Sequence, residues 1–109
     1  DFKKQNYDSI NSKTYFLRVE DHKIIQHIKI GDGLQLGYMA IGQDNILYCS
    51  GFQNNDSYPF QSDVAAVSRD NGNSWKTERE GDLIQASTFD PSQNKVYMLK
   101  GGKIYSRQL

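Results

Sequence analysis

A chain of 109 residues holds one hydrophobic core at most, which excludes a catalytic domain joined to a separate regulatory one. Thirteen Lys and Arg against thirteen Asp and Glu leave no net charge, excluding a polybasic nucleic-acid binder and an acidic solvating tail. Mean hydropathy is low at -0.73, yet seven Tyr, five Phe and one Trp supply bulk that a disordered chain lacks, and no apolar run approaches the roughly 18 residues of a membrane span.

Residues 1–13 are polar and aperiodic and read as an N-terminal arm; residues 14–109 read as a single all-β domain. Short apolar runs are broken every 8 to 12 residues by Gly, Asn and Asp, the spacing of an antiparallel meander. The pattern predicts nine strands, at 14–19, 23–30, 34–41, 46–51, 64–69, 74–78, 83–89, 95–99 and 103–107. Turns are expected at 20–22, 31–33, 42–45, 90–94 and 101–102, all rich in residues that tolerate positive φ or form Asx turns.

The segment 22–30 also has a helical period in Ile24, Ile25 and Ile28, but its β-branched residues sit between two turns about nine residues apart, which favours a strand. His22 and His27 lie five apart, on neither a common helix face nor a common strand face, so no metal is assigned to them. Residues 52–63 have no strand pattern and set Phe52, Tyr58 and Phe60 among polar groups, so a long, exposed and potentially functional loop is expected there. The lone Cys49 lies in an apolar run and reads as a small buried hydrophobe.

One motif is specific. Ser68-Arg69-Asp70-Asn71-Gly72-Asn73-Ser74-Trp75 satisfies all five fixed positions of Ser-x-Asp-x-Gly-x-(Ser/Thr)-Trp. In these residues Asp70 can accept hydrogen bonds from turn amides, Gly72 can take positive φ, and Trp75 can plug a blade interior. The segment resembles the Asp box of sialidases and other β-propeller proteins. That resemblance implies a structural hairpin at a blade's periphery, with Ser68, Asp70, Gly72 and Trp75 as its structural residues, and it implies no chemistry.

With that segment as anchor an internal repeat becomes visible at an offset of about 49 to 51 residues: Gly31-Asp32 matches Gly81-Asp82, Asn45 matches Asn94, and Leu47-Tyr48 matches Val96-Tyr97. Ser106-Arg107 restates Ser68-Arg69. Each unit reads as four short strands, so the chain is expected to form about two blade-like units, half a β-propeller unable to close by itself, or alternatively a small β-sandwich.

A search for chemistry ends without a catalytic set. The four arginines, Arg18, Arg69, Arg79 and Arg107, lie outside the setting in which sialidases hold their arginine cluster, and most carboxylates stand in Gly or Asn turns where capping accounts for them. Asp56 and Asp63 with Asn54 and Asn55 fit no calcium-loop spacing. The sequence reading therefore assigns no catalytic residue, no metal and no cofactor.

Charge is unevenly placed: residues 1–29 sum to +2, residues 30–70 to −4 and residues 71–109 to +2. If the 42–45 turn and the 52–63 loop share a rim, Asp44, Asp56, Asp63, Tyr58 and Phe60 form an anionic, aromatic face suited to a basic protein partner. In size, lack of disulfides and lack of a catalytic set the chain resembles bacterial toxin-immunity proteins. This resemblance implies a non-catalytic inhibitor, monomeric apart from its complex, that covers the basic active site of a toxin such as a nuclease, with no direct contact to nucleic acid or membrane. The alternatives are a carbohydrate-binding domain and a fragment of a larger propeller enzyme. The absence of a cysteine pair favours the cytoplasm; a first residue that is Asp1 rather than Met leaves the periplasm or secretion open.

Overall fold

The computed structural model describes residues 13–58, 60–81 and 84–109. Among them are nine strands: β1 Lys13–Glu20, β2 Lys23–Asp32, β3 Leu34–Ile41, β4 Leu47–Asn54, β5 Gln61–Ser68, β6 Lys76–Gly81, β7 Ala86–Asp90, β8 Lys95–Lys100 and β9 Lys103–Gln108. Each pairs antiparallel with its neighbour in sequence, in three sheets ordered β1-β2, β3-β4-β5-β6 and β7-β8-β9. The protein is thus an all-β meander, and the segment 23–30 is strand rather than helix. Its extents of 41 × 35 × 18 Å make it a flat array.

Turn chemistry sets the hairpins. Asp21 and His22 at φ 51° and 64° join β1 to β2, and Gly101 and Gly102 at φ 54° and 76° join β8 to β9, the left-handed pairs that two-residue hairpins require. Ser68 ends β5, and its Oγ accepts the Gly72 amide at 2.7 Å while donating to Asp70 Oδ1 at 2.8 Å. Asp70 Oδ1 also accepts the Ser74 amide at 2.8 Å, and Trp75 Nε1 donates to the Gly72 carbonyl at 3.0 Å. Because Asp70 takes the Ser74 amide, β6 starts at Lys76 rather than at residue 74.

The core lies between the second and third sheets. Ile46, Tyr48, Ala65 and Val67 meet Phe89, Val96 and Met98, with the Tyr48 and Phe89 rings stacked at 4.8 Å and 13°. Alternation puts Leu47, Cys49, Val64 and Ala66 on the opposite, also buried, face of the second sheet. Burial pushes the Cys49 thiol up to about 11. Against that face stands the first sheet: Phe16 packs on Trp75 at 5.2 Å, Thr14 Oγ1 donates to the Leu34 carbonyl, and Arg18 donates to the Asn71 carbonyl. Trp75 therefore sits half-buried at the junction of the first and second sheets.

Polar clasps hold the second and third sheets at their rims. The buried Asn94 amide accepts the Gln43 N–H at 2.8 Å and donates to the Gln43 carbonyl at 3.1 Å. Arg107 on β9 reaches β6, donating to Glu78 Oε1 at 2.7 Å and to Glu80 Oε2 at 3.2 Å. Burial works to raise the Glu78 pKa, but the guanidinium groups of Arg69 and Arg107 outweigh it and hold the carboxyl below its ordinary value of 4.5. A carboxyl depressed in the folded state contributes stability that is complete above the ordinary value and lost as pH falls through the lower, folded one. Thermal melts are accordingly expected to lose midpoint below pH 4.5, and Glu78→Gln to flatten part of that acid limb. An acid limb unchanged in Glu78→Gln would remove the Arg69–Glu78–Arg107 cluster from the stabilising set.

Candidate functional site

The predicted site residues fall in two places. Asp44 and Asn45 turn at φ 55° and 64° before β4, whereas Asp56, Tyr58 and Phe60 follow its far end. Eight residues of strand separate the two groups by on the order of 25 Å, so the single acidic rim is not formed. Asp44 stands instead beside the 68–75 turn, where the Asn71 amide donates to the Asn45 carbonyl at 2.9 Å.

The expected loop at 52–63 is also shorter than the sequence suggests. β4 runs on to Asn54 and β5 begins at Gln61, with Phe52 opposite Asp63 and Asn54 opposite Gln61. Asp63 is thus a strand residue, and the loop proper is 55–60. Its ends are fixed by the Asn55 amide to the Phe60 carbonyl at 2.8 Å, Asn55 Nδ2 to Ser62 Oγ at 3.0 Å and Gln61 Nε2 to Asn54 Oδ1 at 3.3 Å. Tyr58 is 88% exposed and Phe60 46% exposed, two aromatic rings held outward by a short braced loop. Pro59 lies outside the described residues.

Two hollows open at this end. One of about 460 Å³ lies under the loop, lined by Asn54, Asp56, Tyr58, Ser62 and Arg79. The other, about 430 Å³, separates the second and third sheets and is lined by Tyr48, Ser50, Phe52, Asp63, Glu80 and Ser87 among others. Glu80, Tyr48 and Arg107 share no signal in the sequence, because only the facing of the second and third sheets brings them together. The Glu80 side chain is 4% exposed and ion-paired to Arg107. Tyr48 Oη is buried and has no hydrogen-bond partner among the described residues, and burial, then Glu80, pushes the phenol well above its ordinary value. It stays neutral and able to donate.

Among the described residues no three His, Cys, Asp or Glu gather to hold a metal, and no helix is long and apolar enough to cross a membrane. Comparison with family models, with curated proteins and with solved structures finds no match.

Proposed function

We propose that this chain is a non-catalytic protein-binding domain that docks on a basic partner through the 55–60 loop, in the manner of an immunity protein covering the active site of a toxin. The observation that carries the reading is the braced loop itself. Folding leaves Tyr58 and Phe60 in solvent beside Asp56, although each ring would gain by burial, and the bonds at Asn54, Asn55 and Ser62 fix the loop before any partner arrives. Preorganised aromatic rings at low entropic cost are what an interface centre needs, and a carboxylate beside them steers a cationic surface. Glu78 and Glu80 are committed to ion pairs with Arg69 and Arg107, which favours binding over acid–base chemistry at this end.

The test is association kinetics with the captured partner. Asp56→Lys is expected to slow association on the order of tenfold at low salt and to flatten its salt dependence, while Asp44→Lys, at the far end of β4, leaves both unchanged. Equal effects from the two variants would contradict the assignment of the loop.

A second reading attaches to the inter-sheet hollow. A buried Tyr48 hydroxyl with no partner among the described residues, the Ser50 and Ser87 hydroxyls and the half-exposed Phe52 ring suit a sugar, which stacks on aromatic faces and exchanges hydrogen bonds with hydroxyls. A glycan array without a ligand disposes of it.

A further inference from the structure

The hollow between the second and third sheets exists because the facing residues shrink toward one end. Alternation puts Tyr48, Ser50 and Phe52 on β4, and Val67, Ala65 and Asp63 on β5, on the face turned to the third sheet. Tyr48, Ala65 and Val67 meet Phe89, Val96 and Met98 and close the gap at one end. Farther along, Ser50 stands where a large side chain would be needed, and Ser87, two residues before Phe89, shares the inward face of β7. Neither serine is long enough to fill the space, and about 430 Å³ stays open.

The polar groups around this space are of two kinds. Tyr48 lines it while only 1% exposed, and its hydroxyl has no partner among the described residues, so a bound hydroxyl group would supply the bond the chain leaves out. The charged residues that line it, Asp63 and Glu80, are both acids. Glu80 is neutralised by Arg107, whose guanidinium also holds Glu78. Lys100, on the inward face of β8, lies over the Tyr105 ring at 5.6 Å. Asp63 is in no ion pair among the described residues. In the β4–β5 register it stands opposite Phe52, so its carboxylate and the 45% exposed ring are cross-strand neighbours on one face.

We infer, resting on the sugar reading of this hollow, that its ligand is an amino sugar, whose protonated amine meets Asp63 while its ring stacks on Phe52 and a hydroxyl pairs with Tyr48. Charge decides among the sugars. An amine gives Asp63 a charge-assisted hydrogen bond, about twice as strong as a neutral one. A neutral sugar has the stacking and the hydroxyl bonds alone, and a uronic acid sets one more anion against Asp63 and Glu80. Affinity therefore falls from amino to neutral to acidic sugar, with Asp63 as the residue that sets the order.

The experiment follows the amide NMR spectrum of the folded chain during titration with glucosamine, glucose and glucuronate, at equal ionic strength and in mildly acidic buffer that keeps the amine protonated. Saturating shifts are expected at Ser50, Phe52, Asp63 and Ser87, with glucosamine bound about tenfold more tightly than glucose and glucuronate more weakly than either. Asp63→Asn, close in shape and at a position outside every ion pair among the described residues, is expected to erase the preference for glucosamine and to leave the affinity for glucose unchanged. Asp63→Ser replaces it if Asp63→Asn shifts the melting midpoint. Equal affinity for glucosamine and glucose overturns the inference while the sugar reading stands, and so does tightest binding of glucuronate or a preference that survives in the Asp63 variant. No shift with any of the three overturns both. Docking at the 55–60 loop is measured separately through Asp56→Lys, so it stands or falls on its own.

Discussion

Tyr48→Ala is expected to lose about 3 to 5 kcal/mol of stability, enough to leave the chain unfolded or nearly so, since a small domain holds roughly 5 to 15 in all. Tyr48 is 1% exposed, and its ring is stacked on Phe89 within the hydrophobic cluster that joins the second and third sheets. Truncation removes the ring and leaves a cavity against Val67, Val96 and Met98 that rigid strands cannot close. Tyr48→Phe separates packing from polarity. It removes a buried hydroxyl that has no partner among the described residues, so stability is expected to stay level or rise slightly. Chemical denaturation of both variants checks the pair of outcomes. A marked loss in Tyr48→Phe would mean that the hydroxyl is bonded in the folded protein.

Trp75→Ala is expected to cost about 3 kcal/mol, at the lower end for an aromatic residue because the ring is only half-buried. The ring packs on Phe16 and its N–H closes the 68–75 turn on the Gly72 carbonyl, so the variant loosens both the turn and the seat of the first sheet. Gly72→Ala attacks the same seat by a different route. Gly72 has φ +90°, and an added Cβ would stand 2.6 and 2.8 Å from two carbons of the Phe16 ring. A cost of about 2 kcal/mol is expected there, with hydrogen exchange rising first in β1 and β2. A Trp75→Ala protein that melts like its parent would show that the first sheet does not depend on this junction.

Much of the fold was legible because its signals are local. Alternation and paired turn residues placed all nine strands, and the Asp21-His22 and Gly101-Gly102 turns have the left-handed backbone that their composition requires. The predicted start of the seventh strand at Leu83 and most of the arm at 1–13 fall outside the described residues, except that Lys13 already opens β1. The reach of the β4–β5 hairpin was hidden because Gln53, Asn54, Gln61 and Ser62 show no apolar alternation. Polar cross-strand bonds such as Gln61 to Asn54 support the pairing there instead.

The candidate site was legible in part. Asp56, Tyr58 and Phe60 were singled out and do lie together on one loop, because they are neighbours in sequence. Asp44 was grouped with them by charge, and charge carries no information about which end of a strand a turn occupies. Arg107, Glu78 and Glu80 were missed as a cluster for a similar reason. They stand 27 to 29 residues apart and meet only because β9 and β6 belong to facing sheets.

The most direct measurement is affinity capture from the native host's lysate at moderate salt, run in parallel with the unaltered chain and with a Tyr58→Ala, Phe60→Ala double variant, followed by mass spectrometry. Both rings are exposed, so the variant is expected to fold like its parent. The predicted result is one basic protein retained stoichiometrically by the unaltered chain and lost from the variant. The same proteins on both columns, or none on either from a lysate that contains the products of neighbouring genes, would contradict the role given to the 55–60 loop.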